Sequence, residues 1–589
     1  MINIPMFASR LKHIWPYFFL ALCVFLVSGA NLTPHTSFGH SAGLDATRLF
    51  ELDRGVGAGD LYPRWSPDMY FGYGSPLLAL YAPLAYFVAE VFLLAGMTMT
   101  WAMKFSYLAA TVLAALGMFL LARHEYEKLC DDCAPYQNNI VGIAAALIYI
   151  LAPYFLVDLY VRAAAAELYG FGLIPWVIFF LALFRDTENR RFLGGAAVAY
   201  GLLCFCHNIS SMIYSPAIAA WILICFPRRH WVKGGFVLAT GLAIGAFFWF
   251  PALGLKNAVQ SEAHLTTGYF AFDRHFIAFA DLFLPRWGYQ PPGAKNDIMS
   301  LQLGLAHWGV FALSLIGALI LRTRKVLPYL LMALGAILFT QPVSRVFWIY
   351  VPLLKFVQFP WRFLMIATFA VSALTAFSFA VVTKYSGKRG FFAFAATLLA
   401  SSLFLYLPYA KAKFLFLDAA SLSYTEIEPG EILQAANDPG LVSLEAFMSE
   451  GNVRNAGITG MASDDFLPVA VKRKPVKPAE KPLRLMEGSA TISDVRWKFN
   501  ECGAVIDAAT DVAVVYESFY FPGWKAKVNG EPHPVEILEG EGTILLRLPP
   551  GKHDVKIYYG NAPIHTIGDI ITILGMIAAA ALIFLPRRR

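Results

Sequence analysis

The sequence is poor in charged residues. Asp, Glu, Lys and Arg make up 15% of its 589 residues, whereas soluble proteins average about a quarter. Hydrophobic residues reach 58%, and the mean hydropathy is +0.56. This balance excludes disordered, collagen-like and ordinary soluble proteins, and it indicates an integral membrane protein.

The sequence also lacks the familiar motifs of soluble enzymes and ion-driven pumps. No P-loop, dinucleotide fingerprint or H-E-x-x-H is present, and the single C-x-x-C, Cys130 to Cys133, has no second cysteine or histidine pair to complete a zinc site. Several apolar stretches contain no Asp, Glu, Lys or Arg at all, namely 192–206, 234–253, 308–320, 326–340, 363–383 and 391–410. This argues against a proton-coupled pump, which would need ionisable groups inside its spans.

Long apolar runs predict a mainly α, polytopic transmembrane bundle of about 12–13 segments. The runs are 14–30, 76–97, 104–122, 139–157, 168–184, 192–207, 211–226, 234–253, 306–321, 326–340, 363–383, 390–409 and 564–585. The first run also has the features of a signal peptide, so its cleavage stays open.

The net charge of +7 comes mostly from basic residues in short loops between the runs. These are Arg185, Arg190 and Arg191, then Arg228, Arg229 and Lys233, then Arg322, Arg324 and Lys325, then Lys384, Lys388 and Arg389, and finally Arg587–Arg589. The positive-inside rule places them in the cytoplasm and predicts non-cytoplasmic positions for 31–75, 254–305 and 410–562. Arg10 and Lys12 near the N-terminus are also expected in the cytoplasm, so the chain must cross the membrane an even number of times. One of the thirteen runs therefore does not cross. The best choice is 76–97, which contains Pro76 and Pro83.

We predict three regions along the chain. Residues 1–409 form the transmembrane bundle with outer loops 31–75 and 254–305, and 563–589 form a last transmembrane helix with a basic tail. Residues 410–562 form a non-cytoplasmic domain that ends in a small β-sandwich, because apolar and polar residues alternate in 512–516, 544–548 and 555–559 between Gly, Pro and Asn-Gly turn signals.

Charged residues gather at the outer ends of the runs. The segment 31–75 combines carboxylates such as Asp45 with Arg48, Arg64 and aromatic rings. This mixture suits the recognition of a sugar, because aromatic faces stack on sugar rings and carboxylates accept hydroxyl hydrogens. The alternative is an amphipathic loop on the lipid headgroups.

Two further outer clusters could take part in chemistry. Asp158 and Arg162 stand four residues apart and could form a helical ion pair. Glu167 has no such partner nearby in sequence, and if a helix ends in this loop it could face the same outer cavity as Asp45 and bind a divalent cation or orient a substrate hydroxyl. Arg362 follows Pro360 near a helix start, where it could hold a phosphate or snorkel to the interface. His207 is a helix cap or a ligand.

Five motifs give the sequence a resemblance to a known family. They are LYPRWSPDMYFGYGSPLLALYAPLAY (61–86), YVRAAAAE (160–167), CHNIS (206–210), QFPWRFL (358–364) and ESFYFPGWKAKVNG (517–530). Together they resemble the 6-pyruvoyl-tetrahydropterin synthase-related bacterial membrane proteins, which are similar to GT-C polyprenyl-phosphate-dependent glycosyltransferases. Pterin-synthase chemistry itself finds no support, since it needs clustered zinc-binding histidines and these histidines are scattered singly.

The GT-C resemblance implies an inverting glycosyltransferase. Asp45 would be the general base in the first external loop, although GLDAT holds a single Asp where the family has a paired acidic motif. The metal is unknown, with a divalent cation possible. The predicted site residues are catalytic Asp45 and Glu167, with Arg48, Arg64, Arg162, His207 and Arg362 binding substrate or phosphate.

The implied partners are membrane lipid, a polyprenyl-phosphate sugar donor and a glycan or lipid acceptor, without nucleic acid. The expected location is the bacterial inner membrane, with the β domain on the periplasmic or extracellular side. Two other functions stay open: a non-catalytic lipid or polysaccharide transporter, and an envelope assembly subunit.

Overall fold

The computed structural model describes residues 4–37, 39–130, 132–321, 324–418, 424–458 and 464–585. The predicted basic terminus Arg587–Arg589 and the loop residue Arg322 lie outside the described residues. The α-helices in the first half of the chain are α1 Ile4–Ser28, α2 Ala42–Gly57, α3 Met69–Gly72, α4 Leu77–Leu80, α5 Leu84–Leu94, α6 Met99–Glu127, α7 Pro135–Ile150, α8 Pro153–Tyr160, α9 Ala165–Thr187, α10 Arg191–Cys206 and α11 Asn208–Cys225. The second half contains α12 Trp231–Ile244, α13 Ala246–Leu255, α14 Ser261–Leu265, α15 Leu305–Leu321, α16 Leu327–Thr340, α17 Arg345–Tyr350, α18 Leu364–Tyr406, α19 Ile432–Ala436, α20 Leu444–Phe447, α21 Glu450–Asn455 and α22 Pro563–Phe584.

The helices form the predicted multi-span bundle. Among the described residues, six helices are long and apolar enough to cross a bilayer, and three bent helix pairs raise this to as many as nine. Each predicted apolar run falls on the helices above, and the runs 76–97, 139–157 and 234–253 are each divided between two of them. The runs 363–383 and 390–409 fall on the two halves of α18, which is broken at Gly387 (φ 58°). The prediction of a mainly helical membrane bundle is therefore confirmed.

The run 76–97 contains only short helices. Helix α5 has 11 residues and is about 16 Å long, roughly half of a bilayer's hydrocarbon core. The Oγ of Ser106, near the start of α6, donates to the carbonyl of Ala85 at the start of α5 (2.8 Å). Since α6 follows α5 after a short loop, both ends of α5 lie toward the start of α6. This geometry favours a segment that enters and leaves on one side.

The loops rich in basic residues meet at one end of the bundle, which we call the basic end. Arg229 bonds to Glu188 (2.7 Å), and Lys325 lies 3.6 Å from Asp186. Arg185, in the last turn of α9, bonds to Glu125 at the end of α6 (3.0 Å). Glu167 is in the first turn of α9, so the predicted site residues lie at the opposite end, which we call the site end.

The C-terminal region contains antiparallel sheets, as the alternating residues predicted. Its strands are β1 Phe414–Asp418, β2 Tyr424–Ile427, β3 Leu441–Ser443, β4 Leu483–Glu487, β5 Ala490–Lys498, β6 Glu501–Ala508, β7 Val512–Phe519, β8 Trp524–Val528, β9 Glu531–His533, β10 Glu536–Ile537, β11 Thr543–Leu548 and β12 Gly551–Tyr559. The sheet orders are β2-β1-β3, β10-β11-β7-β4 and β5-β6-β12-β8-β9. The two larger sheets share one core, in which Val514 and Leu546 meet Ile506 and Ile557.

The same core also takes in part of the first outer segment. Trp65 and Tyr70 are 1% and 4% exposed and belong to the apolar cluster of the sandwich. The backbone N–H of Phe519 in β7 donates to the carbonyl of Tyr73 (2.7 Å). The sandwich is thus fastened directly to the segment that follows α2.

Candidate functional site

Asp45 lies in the first turn of α2, and its side chain is buried (2% exposed). Its Oδ1 accepts hydrogen bonds from Arg48 Nη1 (2.8 Å) and Tyr86 Oη (2.6 Å). Its Oδ2 accepts from Tyr107 Oη (3.0 Å). Three donors from α2, α5 and α6 therefore fix the orientation of this carboxylate.

Burial and the hydrogen-bond donors of Asp45 shift the pKa of its carboxyl group in opposite directions. Burial raises the pKa of Asp45, while the charge of Arg48 and the hydroxyls of Tyr86 and Tyr107 lower it, and the net direction is upward. The guanidinium of Arg48 also lies 3.8 Å from the ring centroid of Tyr81. A carboxylate with a raised pKa is a stronger base than an exposed aspartate, which suits the abstraction of a hydroxyl proton.

A small cavity of about 30 Å³ opens beside Asp45, and its lining includes Lys104, Tyr107 and Glu445. This is about the volume that one water molecule takes up in the liquid. Lys104 is itself buried and donates to the carbonyls of Asn31 (2.6 Å) and Thr33 (2.9 Å). The cavity can admit a hydroxyl group next to the carboxylate but not a whole sugar ring.

A second charged cluster surrounds Arg162, in the turn between α8 and α9. Its Nη1 bonds to Asp158, to Glu167 Oε2 (2.9 Å) and to Tyr154 Oη (3.2 Å). Tyr154 also donates to Glu167 Oε1 (2.6 Å). The expectation that Glu167 has no partner nearby in sequence is therefore wrong, because the α8–α9 turn brings it to the guanidinium that Asp158 also contacts.

Arg362 adds a second guanidinium to this cluster. It lies just before α18, is 8% exposed, and its Nε is 3.5 Å from Glu167 Oε2. Its Nη1 donates to the carbonyl of Val357 (2.8 Å) and to Gln358 Oε1 (3.0 Å). Its buried Nε–H makes no hydrogen bond among the described residues, and Glu167 Oε2 is the anionic oxygen that lies near it. The guanidinium is thus held by Glu167, Val357 and Gln358.

Aromatic rings cover the two guanidinium groups. Arg162 lies over Trp361 (4.9 Å to the ring centroid), and Arg362 lies over Phe359 (4.8 Å). The rings of Phe359 and Trp361 are stacked 4.8 Å apart. Such planar stacking is a contact that arginine makes better than lysine.

His207 lies between α10 and α11 and caps the start of α11. Its Nδ1 accepts from the backbone N–H of Ser210 (3.4 Å) and lies 2.7 Å from Ser210 Oγ. The charges of Glu167, Arg362, Arg162 and Arg48 all act on His207. The structure thus shows the capping role and also places the ring within the electrostatic reach of both clusters.

The segment 39–41 ties the Asp45 cluster to the Arg162 cluster. The backbone N–H groups of His40 and Ser41 donate to the carbonyls of Val161 (3.0 Å) and Arg162 (2.9 Å). Tyr107 Oη, which holds Asp45, also contacts the carbonyl of Ala163 (3.4 Å). Hydrogen bonds therefore join the segment around Asp45 directly to the turn that carries Arg162.

Arg64 belongs to neither the Asp45 cluster nor the Arg162 cluster. It donates to Asn561 Oδ1 (2.8 Å) and to Asp569 Oδ1 (3.1 Å), and it lies over the ring of Tyr62 (4.6 Å). It thereby joins the first outer segment to the start of α22. The structure gives Arg64 a tethering position, apart from the other predicted phosphate ligands.

One aromatic residue of 61–75, Trp65, packs inside the sandwich and is not placed to stack on a sugar. Trp65 lies against Phe521 (6.4 Å), Trp524 (5.5 Å) and Tyr559 (5.6 Å), measured between ring centroids. Because the sandwich covers Trp65, this ring is closed to a ligand.

The carboxylates near Arg162 do not fit a divalent cation. Among the described residues, no group of three or more His, Cys, Asp and Glu side chains could hold a metal ion. Asp158 and Glu167 instead share the guanidinium of Arg162, which lies where a cation bridging the two carboxylates would lie. The charged groups available for chemistry at this site are therefore the protein's own side chains.

The fold is that of a polytopic membrane protein, and it has a limited similarity to three solved structures. One similar structure is the arabinofuranosyltransferase AftD from Mycobacteria (TM-score 0.41, 16% identity, 67% of this chain and 26% of that chain). Another is the Archaeoglobus fulgidus oligosaccharyltransferase tethered with an acceptor peptide (0.39, 14%, 68% and 55%). A third is the oligosaccharyltransferase AglB from Archaeoglobus fulgidus in complex with an inhibitory peptide and a dolichol-phosphate (0.30, 14%, 73% and 59%).

The chain spans about a quarter of the length of AftD and a little over half of the oligosaccharyltransferase. No family model matches the chain, and no curated protein is a significant match in sequence.

Proposed function

We propose that the protein is a membrane glycosyltransferase that moves a sugar from a polyprenyl-phosphate donor to a cell-envelope glycan or lipid acceptor. It acts on the non-cytoplasmic face of a bacterial inner membrane, and it belongs with the 6-pyruvoyl-tetrahydropterin synthase-related membrane proteins. The membrane bundle, the buried carboxylate of Asp45 and the paired arginines support this proposal.

The observation that carries the proposal is the pair of buried guanidinium groups at the site end. Arg162 and Arg362 both contact Glu167 Oε2, at 2.9 Å and 3.5 Å, so two positive charges lie close together. Two guanidinium groups in this arrangement can bind the oxygens of a phosphate. Both arginines lie at the ends of spanning helices, where the phosphate of a membrane-embedded lipid would lie.

The proposed reaction is a single displacement at the anomeric carbon of the donor sugar. Asp45 takes the proton from an acceptor hydroxyl, and the hydroxyl oxygen forms the new bond to the anomeric carbon. The bond from that carbon to the phosphate oxygen breaks, and the lipid phosphate leaves with the bonding electron pair. Arg362 and Arg162 stabilise the negative charge on the departing phosphate. Glu167 holds both guanidinium groups in position.

The proposal is tested by sugar transfer with the purified protein and a radiolabelled polyprenyl-phosphate sugar. We expect Asp45→Asn to lower transfer by about a hundred- to ten-thousand-fold, the usual contribution of a general base. Asp53→Asn is the matched control, because Asp53 lies in the same helix and does not contact Asp45 in the structure. Full transfer by Asp45→Asn would remove the general base from the proposal.

A further inference from the structure

A wide cleft lies at the site end, outside the clusters described above. It has a volume of about 560 Å³, which is within the range of small-molecule sites. Its lining includes Trp287, Tyr289, Asp297, Lys411, Lys413 and Glu428. The loop between α14 and α15 and the start of the C-terminal region thus both contribute to its lining.

The charged groups in this cleft balance one another. Lys413 bonds to Glu428 (3.0 Å), and its ammonium lies 4.1 Å from the ring centroid of Tyr289. Asp297 Oδ2 accepts from the backbone N–H of Tyr289 (3.1 Å). With Lys411, the lining has two carboxylates and two ammonium groups and contains no arginine. These charges neutralise one another, and the lining offers no guanidinium to bind phosphate oxygens in pairs, so this set favours a neutral ligand with many hydroxyls.

Neighbouring side chains and backbone carbonyls hold the aromatic residues of the cleft in place. Trp287 stacks on Tyr409 with ring centroids 4.8 Å apart, and Tyr289 Oη donates to the carbonyl of Lys411 (3.0 Å). The indole N–H of Trp287 is buried and interacts with the hydroxyl of Tyr289. Fixed rings combined with polar groups suit the binding of a sugar ring.

The cleft and the Asp45 cavity share the segment 33–37 as a wall. Thr33 lines the cleft, and Thr36 and Ser37 line the cavity. Ser37 pairs with Phe414, which also lines the cleft. In addition, His40 Nε2 bonds to the carbonyl of Tyr289 (2.6 Å). The cleft and the Asp45 cavity are therefore separated by this one segment of chain.

We infer that this cleft binds a neutral oligosaccharide, and that this glycan is the acceptor whose terminal hydroxyl is deprotonated by Asp45. The second part of this inference rests on the proposed function, whereas the binding of a neutral oligosaccharide does not. The small Asp45 cavity admits only a hydroxyl-sized group, and the wide cleft supplies the volume for the rest of the sugar chain.

The test is saturation-transfer NMR on the full-length protein in lipid nanodiscs. The probes are neutral trisaccharides of glucose, mannose, galactose and arabinose, with inorganic phosphate as a competitor. The cleft variants are Trp287→Ala and Asp297→Asn. Trp308→Ala is the matched control, because Trp308 stacks on Phe283 in a similar way (4.5 Å between centroids) and does not line the cleft.

We expect at least one trisaccharide to bind to the wild type and to Trp308→Ala. Its binding should be about tenfold weaker in Trp287→Ala, which corresponds to the loss of one aromatic contact, and also weaker in Asp297→Asn. Phosphate should not compete. Binding by none of the trisaccharides, equal binding in all variants, or displacement by phosphate would overturn the inference.

Asp45→Asn separates this inference from the proposed function. It should bind the trisaccharide as the wild type does while failing to transfer sugar. Trisaccharide binding without transfer by the wild-type protein would contradict the proposed function and leave the cleft as a glycan site. Transfer that persists in Trp287→Ala with an unchanged KM for the acceptor would contradict the acceptor role of the cleft.

Discussion

At the scale of single residues, the state of Asp45 depends on the balance between burial and its three donors. We expect the transfer rate to fall as the pH drops through the raised pKa of Asp45, because only the carboxylate can accept a proton. The acidic limb of the pH–rate profile should therefore lie above the ordinary aspartate value of about 3.9. A limb at or below that value would contradict a buried base.

Tyr107 gives a sharper form of the same test. Its hydroxyl lowers the pKa of Asp45 by donating to the carboxylate. Tyr107→Phe should therefore raise this pKa further and move the acidic limb to higher pH. Tyr126→Phe is the control, since Tyr126 is also buried in α6 and its hydroxyl lies 2.9 Å from Thr383 Oγ1, near the basic end. Identical profiles for the two variants would show that Tyr107 does not act on the titrating group.

Arg162 combines a structural and a functional role that variants can separate. Arg162→Met leaves Asp158 and Glu167 without their shared cation and should lower the free energy of unfolding by about 3–5 kcal/mol. Adding Asp158→Asn removes one uncompensated charge, so thermal unfolding in detergent should show part of the stability restored. Sugar transfer should stay low in the double variant, because the guanidinium is still missing. Recovery of both stability and transfer would show that Arg162 is structural only.

At the scale of elements, the contact between the start of α2 and the α8–α9 turn joins the two halves of the site. A Cβ on Gly39 would lie 2.3 Å from Ala163 Cβ and 2.9 Å from Ala163 N. Ala163 itself has a left-handed backbone (φ 49°), so this turn can adjust only at further cost.

We therefore expect Gly39→Ala to destabilise the protein by about 1–3 kcal/mol and to lower transfer by displacing α2 from the turn. Transfer assays and thermal unfolding measure the two effects. Gly57→Ala is the control at the other end of α2, where an added Cβ meets no atom within 4 Å. An unchanged transfer rate in Gly39→Ala would mean that this contact does not position Asp45.

The sequence predicted the elements better than it predicted their contacts. The helices could be predicted because long apolar runs are typical of membrane-spanning helices. The Asn529-Gly530 turn is also confirmed: it lies between β8 and β9, and φ is positive at both residues (53° and 86°). The sheet of β1, β2 and β3 was not predicted within 410–562. Its strands are three to five residues long, too short to show a clear alternation.

The site was predicted in part, because some of its contacts are local and others are distant. The ion pair of Asp158 and Arg162 could be anticipated because the two residues stand four apart, whereas the contact of Glu167 with Arg162 was missed because the α8–α9 turn creates it. Tyr86 and Tyr107 lie 41 and 62 residues from Asp45. No spacing rule links a hydroxyl in one apolar run to a carboxylate in another helix. The burial of Trp65 likewise depends on a sandwich more than 400 residues further along the chain.

At the scale of the whole molecule, the sandwich is fastened to the bundle through the segment after α2. Trp65 is 1% exposed among rings of the sandwich, so Trp65→Ala should cost about 3–5 kcal/mol. Limited proteolysis should then cleave near the sandwich sooner than in the wild type. Leu61→Ala is the control, since Leu61 is 76% exposed in the same segment and should change stability by less than about 0.5 kcal/mol. Equal protease resistance in both variants would contradict this docking.

The central claim is that the paired arginines hold a lipid phosphate close to Asp45. The most direct measurement is a density map of the full-length protein in nanodiscs that contain a polyprenyl phosphate. The account predicts a phosphate bonded to Arg362 and Arg162, on the side of the cluster that faces Asp45. A phosphate bound at the basic end or at Arg64, with none at Arg362, would contradict the account.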